Sequence, residues 1–567
     1  MTTESSRPIC RTNRGDPIPP NIAILHCHFR RGGVTQVVEN HVASLREKVA
    51  GKIVLISGGR NDGLSDRTLD QTTQLIVEGI DYDTVVLGRD PMDEDFAGLA
   101  ERAERLVTQI VGGLDSLGLS IQDTVLHWHN HSLGKNVAAP QVIKLLASRH
   151  GARQVLQIHD FAEDLRCENY SNLLKGVRTL YCDTGKRFLT PLLVNRYCYP
   201  DISGVHYVTL TRGDADVLAR LGIDSGRVHL LPNSVTLGNR QLPDQSTSLH
   251  AIRRAASLPG DARWCLYPVR GIRRKNVGEF LLLSRMLPES MYAGITLPPT
   301  TEIEFQSYRR WKELGSIVAP QAVFDAGTFA DVSFIENLSA ADFVLSTSVA
   351  EGFGMAYLEP WLAHRGVVAR RLPNVVDDFT RSGVCLDRFY DRVEIPGAPG
   401  WINECVLESR HAFQKAWEPL TEITAQPWRI EHRTTNCDDR RIDFAVLTPK
   451  RQIEVLRRIS RDKGFENEVM DLNSRLVGWL ANPFDEQTLR DNEQLIATDY
   501  SLAAAAERLA KIYNDVLREP VSATSGKLTT KHDRPPKSDS APQDSVIDLV
   551  FRHRAYYPCR TETEIAR

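Results

Sequence analysis

The sequence predicts an α/β protein built from two successive, doubly wound parallel-sheet halves, with an insertion and a disordered tail towards its C-terminal end. Three observations carry that prediction. Short, nearly all-apolar runs alternate with helical patterns from residue 21 to about residue 235, as expected of strands covered on both faces by helices. A polar stretch, 236–260, then interrupts the alternation, and the same rhythm restarts after it. Finally, 567 residues are too many for a single core and enough for two.

The elements follow in order. Residues 1–20 read as a flexible leader, rich in proline and mixed charge. NIAILHCHF (Asn21–Phe29) is a first strand, followed by Arg30-Arg31-Gly32-Gly33 and a helix from Val34 to about Val49. Further strands are expected at Lys52–Gly58, Asp83–Gly88, Asp123–Asn130, Ala152–Asp160, Val205–Thr211 and Arg227–Val235. After the polar linker come RWCLYPVR (Arg263–Arg270), Tyr292–Pro299, Gln321–Gly327, ADFVLSTS (Ala341–Ser348) and Gly366–Leu372. The rhythm breaks over 391–480, a charged, helix-leaning stretch expected to be an insertion or small subdomain. Asp499–Leu517, with its run of alanines, is a helix within closing helices spanning 481–518. Residues 519–567 are expected to be a largely disordered tail, with 519–545 rich in Ser, Thr, Pro and Lys and Val546–Tyr557 a short helix docking back. The implied division is 21–240 for the first half and 241–390 for the second.

Composition excludes some functions. With 42% hydrophobic and 25% charged residues and a formal net charge of -3, the chain has no global basic field to attract nucleic acid. No apolar run reaches the length of a membrane span, and no signal-peptide pattern opens the sequence. Contact with a membrane surface would need only a patch and is left open. None of the ten cysteines forms a Cys-x-x-Cys pair, so reduced thiols in a cytoplasmic protein are expected.

The chemistry concentrates in AEGFGMAYLEPWLA (Ala350–Ala363). Glu351 and Glu359 flank a glycine turn that follows an apolar strand ending in hydroxyl residues. Backbone N–H groups at such a turn can face a phosphate, and carboxylates on either side can accept hydrogen bonds from sugar hydroxyls. The parts are those of a nucleotide-sugar site. At ligand sites in such sheets the strand carboxyl ends are used, which points to the cleft between the two halves.

The order of motifs resembles the GT-B glycosyltransferases, with two Rossmann-like domains, most closely the retaining family 4 type. The resemblance covers roughly residues 20–390 and the late helix. It rests on the glycine turn Arg31-Gly32-Gly33-Val34, on His159-Asp160 at a strand end, on Arg270 and Lys275 in VRGIRRKN, and on the Glu351/Glu359 pair. The resemblance implies a metal-independent hexosyltransferase-like enzyme, with a nucleotide sugar as co-substrate and no cofactor. By the same resemblance His159 and Glu351 act on the transferred sugar. Gly32, Gly33, Arg270, Lys275, Gly354, Met355 and Glu359 bind the donor, with Glu359 on the ribose. Fixed cations and a helix dipole near Gly354 would then stabilise the leaving diphosphate. No side chain is an obvious nucleophile, so front-face attack by the acceptor is expected. Arg30 and Arg31, beside the glycine turn, suggest an anionic acceptor. Arg273 and Arg274 fit a solvated basic turn.

Departures from the family pattern are visible. Pro360 sits early in a helical pattern and predicts a kink or a tightened turn. LPPTTE (Leu297–Glu302) replaces a glycine-rich turn, and Ser234 stands after Asn233 where glycine is common. Two rival functions keep the fold: a sugar-nucleotide epimerase or phosphorylase, and a non-catalytic sugar-nucleotide binder. His127, His129 and His131 alternate, as do His26 and His28, so imidazoles share strand faces. Without a carboxylate or cysteine at ligand spacing they are expected to line a cleft rather than hold a metal.

Overall fold

Apolar strands flanked by helices fold into two parallel sheets, each in a unit of its own. The structure is a computed structural model and describes residues 21–46, 48–49, 51–181, 191–238, 242–424, 440–521, 546, 549–550 and 554–561. The expected leader, 1–20, and 522–545 of the expected tail lie outside the described residues, as do Cys10, Cys182 and Cys437. One unit comprises residues 1–234, 419–428 and 502–553; the other comprises 235–418, 429–501 and 554–567.

The first unit carries seven strands: β1 (Asn21–Leu25), β2 (Ile53–Ser57), β3 (Thr73–Ile76), β4 (Thr124–His129), β5 (Arg153–Ile158), β6 (Val205–Thr209) and β7 (Val228–Leu230). Their order is β3-β2-β1-β4-β5-β6-β7, all parallel. This is the doubly wound order, with its switch point between β1 and β4. The central strands are buried throughout, which explains their unbroken apolar runs. The alanine-rich helix Leu502–Arg518 packs Leu509, Ile512, Tyr513 and Val516 onto this sheet together with Val38 and Val42 of the helix Gly33–Leu45.

The second unit repeats the plan with β8 (Arg263–Arg270), β9 (Met291–Leu297), β10 (Ala322–Val323), β11 (Phe343–Ser346), β12 (Gly366–Arg370) and β13 (Phe389–Tyr390), in the order β10-β9-β8-β11-β12-β13. Its switch point lies between β8 and β11. The β8–β9 register slips between Tyr267 and Arg270, where Pro268 has no N–H to donate. A two-stranded antiparallel sheet of β14 (Glu394–Pro396) and β15 (Arg441–Asp443) joins the same unit.

Four expectations change. Asp83–Gly88 is not a strand: Asp83–Val86 is a short helix with Val85 and Val86 exposed. Arg102 and the Val137 N–H both bond the Asp83 carboxylate and fix that turn. The strand in its place is β3, whose sequence TQLI lacks an apolar run because it lies at the sheet edge. The linker 236–260 contains a helix, Gln245–Ala255, started by Asp244 accepting from the Thr247 N–H. Most described residues of 391–480, expected as an insertion or small subdomain, pack into the second unit. Ile395, Ile402, Ile442, Phe444, Val455, Leu476 and Leu480 share one core with Phe280, Leu281 and Val368 of the second sheet unit. The expected tail is not wholly loose either, because Tyr557 and Cys559 pack with Val349 and Ala445.

An ionic cluster ties these layers together. Arg370, at the end of β12, is fully buried and forks onto Glu279 (2.7 and 2.9 Å) and Asp443 (2.8 and 2.9 Å). Tyr390 donates to Glu279 at 2.8 Å. Removing the cation strands two carboxylates in a dry core. Arg370→Met is expected to lower the stability of the second unit by about 3–5 kcal/mol. Denaturant unfolding followed by tryptophan fluorescence measures this, and an unchanged midpoint would contradict it.

Candidate active site

In each unit the sequence-predicted residues fall on loops at the carboxyl ends of the two strands that flank the switch point, or next to them. In an open α/β sheet that is where ligands bind. In the second unit, β8 leads into Gly271–Asn276 and β11 leads into Thr347–Met355.

These two loops are sewn together. The Lys275 carbonyl accepts from Thr347 Oγ1 (2.9 Å) and from Tyr267 Oη (3.0 Å), and the Val349 N–H donates to the Arg274 carbonyl at 3.0 Å. Asn276 takes a left-handed conformation, φ 48°, and donates to Glu279 at 2.9 Å, which starts the helix Val277–Arg285. The result places Lys275 Nζ on Glu351 Oε1, both side chains almost buried. Arg274 Nη1 adds a 3.4 Å contact to Glu351 Oε2 and a 3.1 Å bond to the Ala350 carbonyl.

Arg274 is therefore part of the site, not of a solvated turn. Arg273 is also engaged, bonding Glu304 Oε1 at 3.0 Å and the Thr561 carbonyl at 3.3 Å. The signal that could have found Arg274 was the hydroxyl run Ser346-Thr347-Ser348, which anchors its loop. Arg270, expected with Lys275 as a cation for the donor diphosphate, makes a backbone contact instead of joining the Lys275–Glu351 pair. Its Nη1 bonds the Pro298 carbonyl at 2.8 Å, so it props the LPPTTE loop.

The two glutamates sit in opposite environments. Burial works against charge on Glu351, but Lys275 and Arg274 prevail and hold its carboxyl below the ordinary value. Burial likewise pulls Lys275 below its ordinary value, against the pull of Glu351. Glu359 is partly buried, and no described residue hydrogen bonds its carboxylate; burial alone pushes it up to about 7. A desolvated carboxylate without a protein donor is suited to accept from ligand hydroxyls.

Gly354 adopts φ 85°, and a Cβ there would approach Tyr357 to 2.8 Å and Val375 to 2.9 Å, so only glycine fits. The chain then forms two tight 3-10 turns, Met355–Tyr357 and Glu359–Ala363, rather than an α-helix. Pro360 lies in the second, as a tightened turn requires. The expected helix dipole is therefore corrected to a local feature. The N–H groups of Gly354 and Met355, first in their turn, meet no other acceptor among the described residues.

In the first unit, the glycine turn follows β1. Gly32 is extended and caps the helix Gly33–Leu45. A Cβ on Gly33 would meet nothing within 4 Å, so the fold itself does not demand glycine there, and the space beside the backbone is open. Arg30 and Arg31 are exposed, and Arg30 lies 3.6 Å from Asp62. Gly63 was not anticipated: a Cβ there would strike the Arg31 nitrogen at 2.2 Å, so this glycine lets its loop lie against the arginines. His159 follows β5. Its N–H donates to Asn130 Oδ1 at 2.8 Å, and its Nε2 lies 2.8 Å from His129 Nδ1. Asn233 and Ser234 are both buried, with the Ser234 carbonyl accepting from Asn40 at 3.1 Å.

No family model matches the chain. It is 28% identical over 437 residues to the mannosylglucosyl-3-phosphoglycerate synthase of Petrotoga mobilis, a match covering 75% of this chain and 79% of that protein. Among solved structures it is similar to sucrose-phosphate synthase from Thermosynechococcus elongatus, at 12% identity and a TM-score of 0.49, covering 87% of this chain and 98% of that one. The catalytic domain of starch synthase IV from Arabidopsis thaliana, bound to ADP and acarbose, is similar at 12% identity and a TM-score of 0.48, covering 88% of this chain and 99% of that one. Among the described residues no helix is long and apolar enough to cross a membrane.

The environment of Glu359 sets a pH dependence. Its carboxyl titrates near 7 in the fold and near 4.3 in the unfolded chain, so between those values the folded state holds the extra proton. Its contribution to stability therefore falls as pH rises from about 4.5 to about 7, and the penalty is complete above that. Glu359→Gln is expected to be more stable than the parent at pH 8 by on the order of 2 kcal/mol, with the gap shrinking towards pH 5. Denaturant midpoints at the two pH values measure it; a gap independent of pH would contradict the assignment.

Proposed function

We propose that this chain is a retaining, GT-B glycosyltransferase of the family 4 type, which moves a sugar from a nucleoside diphosphate sugar to an anionic acceptor. The observation that carries the reading is the buried Lys275–Glu351 contact at the switch point of the second sheet. Eight positions on, Glu359 carries an unpartnered carboxylate, suited to the ribose hydroxyls. Lys275 and the free N–H groups of Gly354 and Met355 then take the diphosphate, whose charge grows as the sugar–oxygen bond breaks. Arg270 props the neighbouring LPPTTE loop through the Pro298 carbonyl. Glu351, kept ionised by its cations, bonds the sugar hydroxyls. His159 is assigned to the transferred sugar and the Gly32–Gly33 turn to the donor phosphates.

The anionic acceptor has two supports. Arg30 and Arg31 are exposed next to the glycine turn, and guanidinium groups pair well with phosphate and carboxylate. The Petrotoga mobilis relative is named for a product that contains 3-phosphoglycerate, which bears both groups. A phosphoglycerate-bearing acceptor is accordingly the first to try. Retention of the anomeric configuration, by front-face attack and without a metal at the diphosphate, completes the reading.

The test combines the chain with UDP-, GDP- or ADP-sugars and phosphoglycerate-bearing acceptors, and follows product and its anomeric configuration by NMR. Glu351→Gln and Lys275→Ala are each expected to reduce kcat by about 100-fold or more. Arg30→Ala with Arg31→Ala is expected to raise acceptor KM about tenfold while leaving donor KM unchanged. Donor binding without turnover for every sugar and acceptor, or inversion at the anomeric carbon, would contradict the proposal.

A further inference from the structure

The first unit contains a group of buried imidazoles that the transfer reaction does not use. His41 lies on the helix Gly33–Leu45, and His127 and His129 lie on β4, the strand at the centre of the sheet. All three are buried. One ligand nitrogen from each lies within 4.8 Å of those of the other two.

Burying a polar nitrogen without a partner is costly, so an accumulation of such atoms calls for an explanation. Here both ring nitrogens of His41, Nε2 of His127 and Nε2 of His129 have no partner among the described residues. Gln157, the register neighbour of His129 on β5, adds an amide that abuts His127 yet makes no hydrogen bond of good geometry. The opposite edges of the two strand imidazoles are, by contrast, firmly held. His127 Nδ1 lies 2.8 Å from Tyr513 Oη, and His129 Nδ1 lies 2.8 Å from His159 Nε2. A ligating histidine shows this division: one nitrogen bare for the ion, the other fixed by a second group that sets the tautomer and ring orientation.

We propose that His41, His127 and His129 bind one divalent transition-metal ion, Zn2+ or a close substitute, inside the first unit. Neutral imidazoles suit such ions, and three histidines are a sufficient protein ligand set. A tetrahedral ion about 2.0–2.1 Å from each nitrogen needs those nitrogens roughly 3.3 Å apart, so the rings must draw closer, and the stacked His127 and His129 rings, with centroids 4.7 Å apart at 23°, must turn until their nitrogens converge on one point. The Gln157 amide oxygen or a water takes the fourth position. Metal on His129 Nε2 leaves its Nδ1 protonated and donating to His159 Nε2, which puts the His159 proton on Nδ1. The ion therefore fixes the tautomer of His159, and it also clamps the helix behind the glycine turn to the central strand. A fully enclosed ion is taken up as the chain folds.

The test uses the full-length chain. Produced in zinc-supplemented medium and freed of loosely held metal, it is expected to contain about one equivalent of Zn2+ by mass spectrometry. Refolding with Co2+ alone should give the visible absorption of a tetrahedral cobalt site, and metal removal should lower Tm. His41→Ala and His127→Gln should each abolish the stoichiometric metal. Because the first three readouts need only the parent chain, a variant that fails to fold does not blunt them. A parent chain with less than about a tenth of an equivalent, whose Tm does not change with Zn2+ or Co2+, overturns the proposal. So does full metal content in a folded His41→Ala variant.

Discussion

The buried fork of Arg370 onto Glu279 and Asp443 is the constraint from which the geometry of the second unit follows. It joins the last residue of β12, the helix Val277–Arg285 and the strand β15. A buried charge without its partners is expensive, so these three elements have one acceptable arrangement. The effect reaches the site through a short path. Glu279 also accepts from Asn276, whose left-handed backbone ends the Lys275 turn, and Gln452 reaches the Asn276 side chain at 3.2 Å. The charged region 391–480 thus supports the loop that presents Lys275.

Within that frame, two carboxylates of the same type and on the same loop serve different ends. Glu351 is satisfied by cations and stays ionised. Glu359 is desolvated and unsatisfied, a state that costs stability and leaves acceptor capacity for a ligand. Sites of function commonly carry such local costs, offset by the packing around them. The buried histidines of the first unit follow the same logic, with bare nitrogens facing one another in a well-packed sheet.

Much of this was legible in the sequence because long apolar runs leave few alternatives. RWCLYPVR appears as β8 at its expected limits, and the inner strands of both sheets follow from alternation. Polar edge strands were not legible, since TQLI lacks the apolar signal, and DTVVLG mimics one. At the candidate site, Glu351 and Gly354 stand out from the local glycine-turn pattern and Lys275 from the family resemblance, and the structure brings Lys275 and Glu351 together. Arg274 was missed because neighbouring arginines look alike in sequence, and what sets it beside the carboxylate is the way Thr347 and Val349 hold its loop. His41 was invisible for a related reason: its partners lie on a distant strand, and no local spacing joins a helix to the middle of a sheet.

We propose the loops after β8 and β11 as the nucleotide-sugar donor site. A crystal structure of the chain with a bound nucleoside diphosphate tests it most directly. Ribose hydroxyls are expected on Glu359, and diphosphate oxygens on Lys275 Nζ and the Gly354 and Met355 N–H groups. Nucleotide ordered elsewhere, with the Lys275–Glu351 contact and the Glu359 carboxylate untouched, would contradict it.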